Sequence, residues 1–141
     1  TISADASFKD AVALMIEKQT NSLLVVNEKN TLLGEVNVTD LLEAIVPDFL
    51  EGDSIASQFV TSDMFKEAIE RSADATVSTF MQTEFKAIRE NDSLMSLAQI
   101  AIKTKRARIP VVNEENEPVG IISRRGIKQL IGTFLEIQDS A

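Results

Sequence analysis

The sequence predicts an α+β fold built from two β-α-β-β-α units with a helical spacer between them. The first observation is an internal repeat, because a shift of 86 residues aligns residues 1–46 with residues 87–132 without a gap. The second is that each copy has apolar positions at helical spacing and then two short apolar, β-branched runs. The third is size: a unit of about 46 residues buries little core alone, so the two copies are expected to pack face to face.

The repeat is strongest in the middle of each copy, where six identities fall within ten residues. The matching residues are Val25–Glu28 with Val111–Glu114, Asn30 with Asn116, and Gly34 with Gly120. Two copies joined by a long spacer indicate a duplicated domain, since a solenoid needs several short repeats.

Each copy predicts the same elements in the same order. A short strand lies near Ile2 or Ile88, and Ser7 or Ser93 is a candidate N-cap of the first helix. Two strands joined by a polar turn then form a hairpin, and a second helix starts near residue 39 or 124. The predicted strands are Leu23–Asn27, Leu32–Asn37, Ile109–Asn113 and Pro118–Ser123.

The spacer, Pro47 to Lys86, is predicted to be more helix than linker. Pro47 can open a helix, and Asp63 can cap a helix over Met64–Arg71. Its apolar residues are expected to pack onto the repeats, with a partner-binding role as the alternative. These residues are Phe49, Leu50, Phe59, Phe65 and Ile69. The predicted domains are residues 1–46, the spacer 47–76, and residues 77–141.

Composition excludes many chemistries. Without cysteine or histidine the chain cannot hold a disulfide, a thiolate nucleophile, a His-based triad or the usual His- or Cys-containing metal sites. No metal site is predicted. The longest uninterrupted apolar run, Ala11–Ile16, is far too short to span a membrane, so no direct membrane insertion is expected. The chain opens without a signal peptide, and a cytoplasmic location is expected.

The net charge of −8 is unevenly distributed. Residues 1–86 carry 6 basic and 15 acidic groups, whereas residues 87–141 carry 8 basic and 7 acidic groups. Seven basic residues form two stretches: Lys103, Lys105, Arg106 and Arg108, then Arg124, Arg125 and Lys128. Local positive charge in an acidic chain favours a small anion over nucleic acid. The alternative is that these are solvated surface charges.

The junction between hairpin and second helix carries the main polar residues. In the first copy Asn37 ends a strand and Asp40 follows three residues later, at the start of the helix. A carboxylate there can accept both hydroxyls of a ribose, and the free N–H groups of the helix start favour an anion. The alternative is structural: Asp40 complements the helix dipole, and Asn37 is a turn residue.

Together these features resemble the CBS domain pair, also called a Bateman module. The resemblance is carried by the gap-free repeat, the two Val-Val-Asn-Glu hairpins, the junctions and Ile109–Val112. Val77–Met81 resembles the short lead-in before each motif. The equivalent lead-in of the first copy would precede Thr1, so we expect the sequence to be a segment of a longer protein.

The resemblance implies that the two units pack around a pseudo-twofold axis and leave two clefts that bind adenosine derivatives such as AMP, ADP or ATP. The family pattern at each junction is Gly, any, apolar, Ser or Thr, any, any, Asp. The first copy keeps Asp40 and has Asn37 in place of the hydroxyl residue. The nucleotide-binding residues implied for this cleft are Asp40, Asn37, Thr39, Ile2 and Leu24. Phosphate contacts are implied from the opposite copy by Arg108, Arg124 and Arg125, through charge-assisted hydrogen bonds.

The second cleft is expected to be weaker. It keeps Ser123 and the apolar walls Ile88, Ile109 and Pro110, but Gly126 stands where the carboxylate is needed. Losing the charged acceptor should weaken this cleft about a hundredfold or more. We therefore expect one tightly bound nucleotide per chain, in the Asp40 cleft.

The function implied is that of a non-catalytic regulatory module in which an adenosine nucleotide, rather than a catalytic cofactor, controls a fused or partner protein. A homodimer formed through the CBS pair is expected. The alternative is a ligand-free dimerisation module. An enzyme is disfavoured because no carboxylate pair sits in a recognisable catalytic frame and no Gly-x-Gly-x-x-Gly loop is present.

Overall fold

A computed structural model describes residues 1–46, 62–104 and 108–137, and the chain divides into two compact units. The first unit comprises residues 1–85, and the second begins at Lys86. Each unit contains one three-stranded sheet with helices, which confirms the α+β class. Some sequence-based predictions lie outside the described residues: those for Pro47, Phe49, Leu50, Phe59, Lys105 and Arg106.

The elements follow the predicted order in both units. The first unit contains β1 (Ile2–Ser3), α1 (Phe8–Lys18), β2 (Ser22–Val26), β3 (Leu32–Asn37), α2 (Val38–Ile45), α3 (Ser62–Ser72) and α4 (Val77–Phe80). The second contains β4 (Ile88–Arg89), α5 (Leu94–Thr104), β5 (Arg108–Val112), β6 (Pro118–Ser123) and α6 (Arg124–Phe134). The hairpin strands therefore match the predicted ones to within one residue at either end.

The two sheets have the same topology. In each, the first strand runs parallel to the second and the second pairs antiparallel with the third, in the order β1-β2-β3 or β4-β5-β6. Val25 lies opposite Gly34 and Val111 lies opposite Gly120, and both hairpins shift register immediately after that pair. The repeat in sequence is thus a repeat in backbone geometry.

The hairpin turns explain why two asparagines recur in each copy. Asn27 Oδ1 accepts two backbone N–H groups of its turn, both at 2.9 Å. Asn30 has φ of 63°, in the left-handed region that asparagine tolerates better than most residues. Asn113 and Asn116 repeat these roles, with turn bonds of 3.0 and 2.9 Å and φ of 67°.

The helix caps were also predictable. Ser7 Oγ accepts the N–H of Asp10 at 3.1 Å, and the Asp10 carboxylate accepts the N–H of Ser7 at 3.1 Å. This reciprocal capping box satisfies two N–H groups that the helix itself cannot. Ser93 caps α5 in the same way on one side only, since residue 96 is a serine.

The spacer differs from its prediction in detail. Helix α3 begins at Ser62, so Asp63 lies in its first turn and is not its cap, and the prediction of Asp63 as the N-cap was wrong. The helix packs on α2, where the Ser72 hydroxyl donates to the Ala44 carbonyl at 3.4 Å, and Ala68 is its buried residue. Phe65 and Ile69, which were expected to pack onto the repeats, are instead among the exposed apolar residues, at 41% and 37%.

Residues 73–82, here called the strap, pack on the first unit although they lead into the second repeat. Six backbone hydrogen bonds join the strap to residues 4–9 and to Glu35, at 2.7–3.1 Å. Val77 is fully buried in the first unit's core, and the Phe80 ring meets that of Phe8 edge to face at 5.7 Å. The predicted boundary between residues 76 and 77 follows the sequence motifs and stays a prediction.

The core of the first unit lies between its sheet, helices and strap. Its buried members are Ile2, Phe8, Ala11, Met15, Leu23, Val25, Val36, Leu41 and Val77. The corresponding cluster of the second unit contains Ile88, Leu97 and Ile109 as buried members among the described residues. Both clusters use the apolar stripe and β-branched runs that predicted the elements.

Gly34 marks the point where the strap comes closest to β3. A Cβ atom built there would lie 2.4 Å from the backbone oxygen of Gln82, so a side chain would force the strap away. We expect Gly34→Ala to lower the free energy of unfolding by about 1–3 kcal/mol, as overpacking does.

The matched control is Gly120→Ala, at the equivalent position of the second unit, where no described atom lies within 4 Å of a built Cβ. Urea unfolding of both variants measures the difference. Equal free energies of unfolding for the two variants would contradict this assignment.

Candidate functional site

The junction of β3 and α2 is held by two reciprocal hydrogen bonds between side chain and backbone. The Asn37 N–H donates to Asp40 Oδ2 at 2.7 Å, and the Asp40 N–H donates to Asn37 Oδ1 at 3.0 Å. Asn37 is therefore the N-cap of α2, and Asp40 completes a capping box. Both residues therefore have a structural role at the start of α2. Asp40 can bind a ligand only through acceptor positions that this role leaves available.

Asp40 is the one charged residue that is buried among the residues the structure describes, with 3% of its surface exposed. Its second oxygen, Oδ1, accepts a hydrogen bond of 2.7 Å from the side-chain amide of Gln82. Gln82 is the last residue of the strap and is held on β3, because its backbone exchanges hydrogen bonds of 3.0 and 2.8 Å with the backbone of Glu35. Burial of the carboxylate is thus offset by two directed donors.

Gln82 was missed by the sequence analysis. It lies 42 residues from Asp40, and a glutamine after Met81 carries no motif that would point to it. The only signal was its place in the lead-in, immediately after Met81. Its contact with Asp40 becomes visible only once the strap is seen to pack on the first unit.

A cavity of about 500 Å³ opens beside this pair of side chains. Its lining residues are Asp40, Glu43, Ala44, Thr79, Phe80, Met81 and Gln82. A carboxylate has about four acceptor positions, and two of those on Asp40 are used by Asn37 and Gln82. Among the residues that the structure describes, the lining has two carboxylates and no basic group, so its chemistry suits a neutral ligand part with hydroxyl donors rather than a phosphate.

The junction of β6 and α6 has the N-cap of the first junction but not the carboxylate that completes the capping box. Ser123 caps α6 by accepting the N–H of Gly126 at 3.1 Å. Gly126 has no side chain to return the bond or to accept from a ligand. A Cβ built on it would meet the Ser123 hydroxyl at 3.6 Å, which is ordinary contact distance. The backbone at residue 126 therefore has room for a Cβ atom.

The other predicted site residues fall into two groups. Those predicted as apolar walls are buried parts of the strands: Ile2, Leu24, Ile88, Ile109 and Pro110. Those predicted as polar contacts are exposed: Thr39, Arg108, Arg124 and Arg125. The structure brings Asn37 and Asp40 together, and their roles toward a ligand, like those of the others, stay predictions.

A metal ion and a membrane are two other possible partners of the described residues, 1–46, 62–104 and 108–137. No group of three acidic side chains there is close enough to hold a metal ion. No helix in the same ranges is both long and apolar enough to cross a membrane.

Comparison with known proteins identifies the class. The family model of the CBS domain matches residues 1–47 and 77–132, so the chain belongs to the CBS domain family. The two matched segments are the two repeats, the second with its lead-in. Solved structures of this family with high similarity confirm the fold described above.

Two curated relatives, one from a plant and one from a bacterium, match most of this chain. The chain is 26% identical over 135 residues to the CBS domain-containing protein CBSX2, chloroplastic, of Arabidopsis thaliana, with 89% of this chain aligned. It is 28% identical over 131 residues to the glycine betaine/carnitine/choline transport ATP-binding protein OpuCA of Bacillus subtilis, with 93% aligned. The chain spans 56% and 28% of the lengths of these two relatives.

Two solved structures share its fold. The CBS domain of a CBS domain-containing membrane protein from Sphaerobacter thermophilus is 27% identical with a TM-score of 0.71, over 92% of this chain and 80% of that one. The crystal structure of CBSX2 in complex with AMP is 24% identical with a TM-score of 0.69, over 96% of this chain and 88% of that one.

Proposed function

We propose that this CBS pair is a non-catalytic module that binds an adenosine nucleotide and thereby controls a fused or partner protein. The observation that carries the proposal is the buried Asp40 carboxylate, which lines a cavity and keeps acceptor positions beyond those used by Asn37 and Gln82. A ribose diol supplies the two donors that such a carboxylate can accept. Support comes from CBSX2, a relative whose structure was solved with AMP.

The regulatory part of the proposal is supported by OpuCA. Its name is that of a transport ATP-binding protein, and the present chain matches only 28% of its length, so a CBS pair there accompanies other parts of the protein. We propose the same relation here, with a nucleotide-dependent change in the pair as the signal. A cytoplasmic location stays a prediction, and the name of CBSX2 places that relative in the chloroplast.

Calorimetric titration with AMP, ADP and ATP tests the binding, with inosine and uridine monophosphates as base controls. We expect saturable binding of at least one adenosine nucleotide and none of the controls. Incubation with ATP should give no turnover. Absence of binding to all three adenosine nucleotides would contradict the proposal, as would steady ATP hydrolysis.

The acidic cavity implies that phosphate recognition has to come from elsewhere, and we propose the exposed arginines of the second unit for it. Arg125→Ala or Arg108→Ala is expected to lower the affinity for AMP several-fold, because each removes a charge-assisted hydrogen bond. The affinity for adenosine should stay unchanged. Added salt should weaken AMP binding to the wild type more than adenosine binding.

Lys128→Ala is the matched control, because Lys128 is an exposed cation on α6, the same helix that carries Arg125. Calorimetry with AMP and adenosine measures all three variants. An equal loss for both ligands would show that the arginines act through the fold, and an equal effect of Lys128→Ala would show general electrostatics only.

The second candidate function is a ligand-free dimerisation module. It is favoured by two isoleucines at equivalent positions of the repeats, Ile16 and Ile102, which are 72% and 76% exposed. Ile16 also lines a largely apolar cavity of about 420 Å³ that α1 and α2 form with residues 19–21. Sedimentation of the nucleotide-free protein distinguishes the two: a stable dimer that binds no nucleotide by calorimetry would favour this candidate.

A further inference from the structure

The carboxylate of Asp40 is held at both of its oxygens. Oδ2 accepts the backbone N–H of Asn37 at 2.7 Å, and Oδ1 accepts the side-chain amide of Gln82 at 2.7 Å. A carboxylate held at one oxygen can still turn about its Cβ–Cγ bond, because this torsion is only loosely restricted in aspartate. Bonds to both oxygens from two different parts of the chain fix the plane of the group.

The capping box of α1 shows what the first of these bonds achieves alone. Asp10 has the same position in α1 as Asp40 has in α2, and its carboxylate accepts the N–H of Ser7 at 3.1 Å. Asp10 is exposed, and within the described parts of the chain no side chain donates to its other oxygen. The Gln82 bond, together with burial, therefore distinguishes Asp40 from an ordinary cap residue.

The position of Gln82 is set by the backbone around it. Its N–H donates to the Glu35 carbonyl at 2.8 Å, and its carbonyl accepts the Glu35 N–H at 3.0 Å. Gly34 permits this approach, since a Cβ there would lie 2.4 Å from the Gln82 oxygen. The amide thus extends to Asp40 from a residue that is already paired with β3.

The two bonds leave Asp40 with one acceptor position on each oxygen, since a carboxylate has about four in all. Asp40 lines the cavity of about 500 Å³, so a ligand there can approach it. Two neighbouring ribose hydroxyls need one acceptor each. A carboxylate that is oriented beforehand loses little torsional freedom when it binds them, and this raises affinity.

We propose that Gln82 is a positioning residue of the nucleotide site. Its amide holds the Asp40 carboxylate in the orientation that accepts both ribose hydroxyls, and it thereby makes the site selective for ribose over 2′-deoxyribose. This inference rests on the proposed function, because it concerns the same carboxylate and the same ligand. Gln82 acts through Asp40, the side chain that it contacts.

Ribose binding and docking of the strap are then coupled. The Gln82 amide reaches Asp40 while the strap lies on the first unit, where six backbone bonds hold it. A ligand that prefers the oriented carboxylate favours the docked strap by the same factor, as linkage requires. Nucleotide binding therefore tightens the segment that precedes β4 in the chain.

The test compares AMP with 2′-deoxyadenosine monophosphate by calorimetry, in the wild-type chain and in Gln82→Leu, whose side chain has no donor. We expect the wild type to prefer AMP about tenfold or more, because the deoxy ligand lacks one hydroxyl bond to a charged acceptor. In Gln82→Leu this preference should fall below about threefold. AMP should also slow hydrogen exchange at the Gln82 N–H of the wild type, and unchanged exchange there would contradict the coupling.

Gly34→Ala is a second variant that acts on the same contact through the backbone, since its Cβ displaces the Gln82 carbonyl. It should also lower the preference for AMP, and it decides the question if Gln82→Leu does not fold. Ser78→Ala is the matched control, because Ser78 is an exposed residue of the strap that lines neither cavity. This control should keep the wild-type preference.

The outcomes separate this inference from the proposed function. A wild-type preference for AMP that Gln82→Leu retains would overturn the inference, and an equal loss of affinity for both ligands would give Gln82 a structural role only. Equal binding of both ligands to the wild type would overturn it as well, because nothing would then recognise the 2′-hydroxyl. A wild type that binds neither ligand would contradict the proposed function itself.

Discussion

Asp40→Asn is expected to weaken AMP binding at least about tenfold, since a charged acceptor to hydroxyl donors contributes roughly 1.5 kcal/mol or more. The amide has the size of the carboxylate but only one acceptor oxygen, so it can no longer serve Asn37, Gln82 and a ribose together. Calorimetric titration of the folded variant with AMP measures the change.

Because Asp40 also caps α2, the variant will be less stable, and the loss of binding has to be separated from that effect. Asp10→Asn is the matched control, since Asp10 closes the same kind of capping box on α1 and lines neither of the two cavities described above. It should lower the melting temperature and leave AMP affinity unchanged. Undiminished affinity of Asp40→Asn would contradict a ribose contact, and an equal loss for Asp10→Asn would attribute the effect to stability.

Gly126→Asp is expected to create a second nucleotide site. It restores the carboxylate at the position of α6 that Asp40 occupies in α2, three residues after the N-cap. The new side chain can complete the capping box with Ser123 and accept ribose hydroxyls, so affinity at this site should rise about a hundredfold. Calorimetry should then give two nucleotides per chain.

The control for that variant is Gly126→Ala. Both substitutions replace a glycine within a helix and should stabilise α6 by up to about 1 kcal/mol, but only aspartate supplies an acceptor. Two sites in Gly126→Ala, or one site in Gly126→Asp, would show that the missing carboxylate is not what distinguishes the two junctions.

Local features of the fold were readable from the sequence because each depends on a few neighbouring residues. The hairpins follow from β-branched runs on both sides of a polar turn. In that turn Asn27 accepts backbone N–H groups and Asn30 adopts a left-handed conformation, as their counterparts do in the second copy. The caps of α1 and α5 follow from Ser7 and Ser93, whereas the return bonds from Asp10 and Asp40 that complete two capping boxes were not predicted. Because the repeat has no gap, a turn or an N-cap predicted in one copy is predicted at the equivalent residue of the other.

Features that depend on long-range packing were not readable. The sequence placed Val77–Met81 with the second motif, whereas the chain folds these residues onto the first unit, where Val77 completes the core. As a result, Gln82 as the donor to Asp40 and Gly34 as the point of close approach could not be foreseen. A motif identifies a segment, but the surface that the segment covers depends on which apolar side chains it can bury.

Native mass spectrometry of the full chain titrated with AMP tests the central claim most directly, because it counts bound nucleotides per chain. We predict a complex with one nucleotide at low AMP concentration, and a second nucleotide only at concentrations about a hundredfold higher. Two nucleotides bound with equal affinity would contradict the claim that Asp40 defines the tight site. A chain that binds none would contradict the proposed function itself.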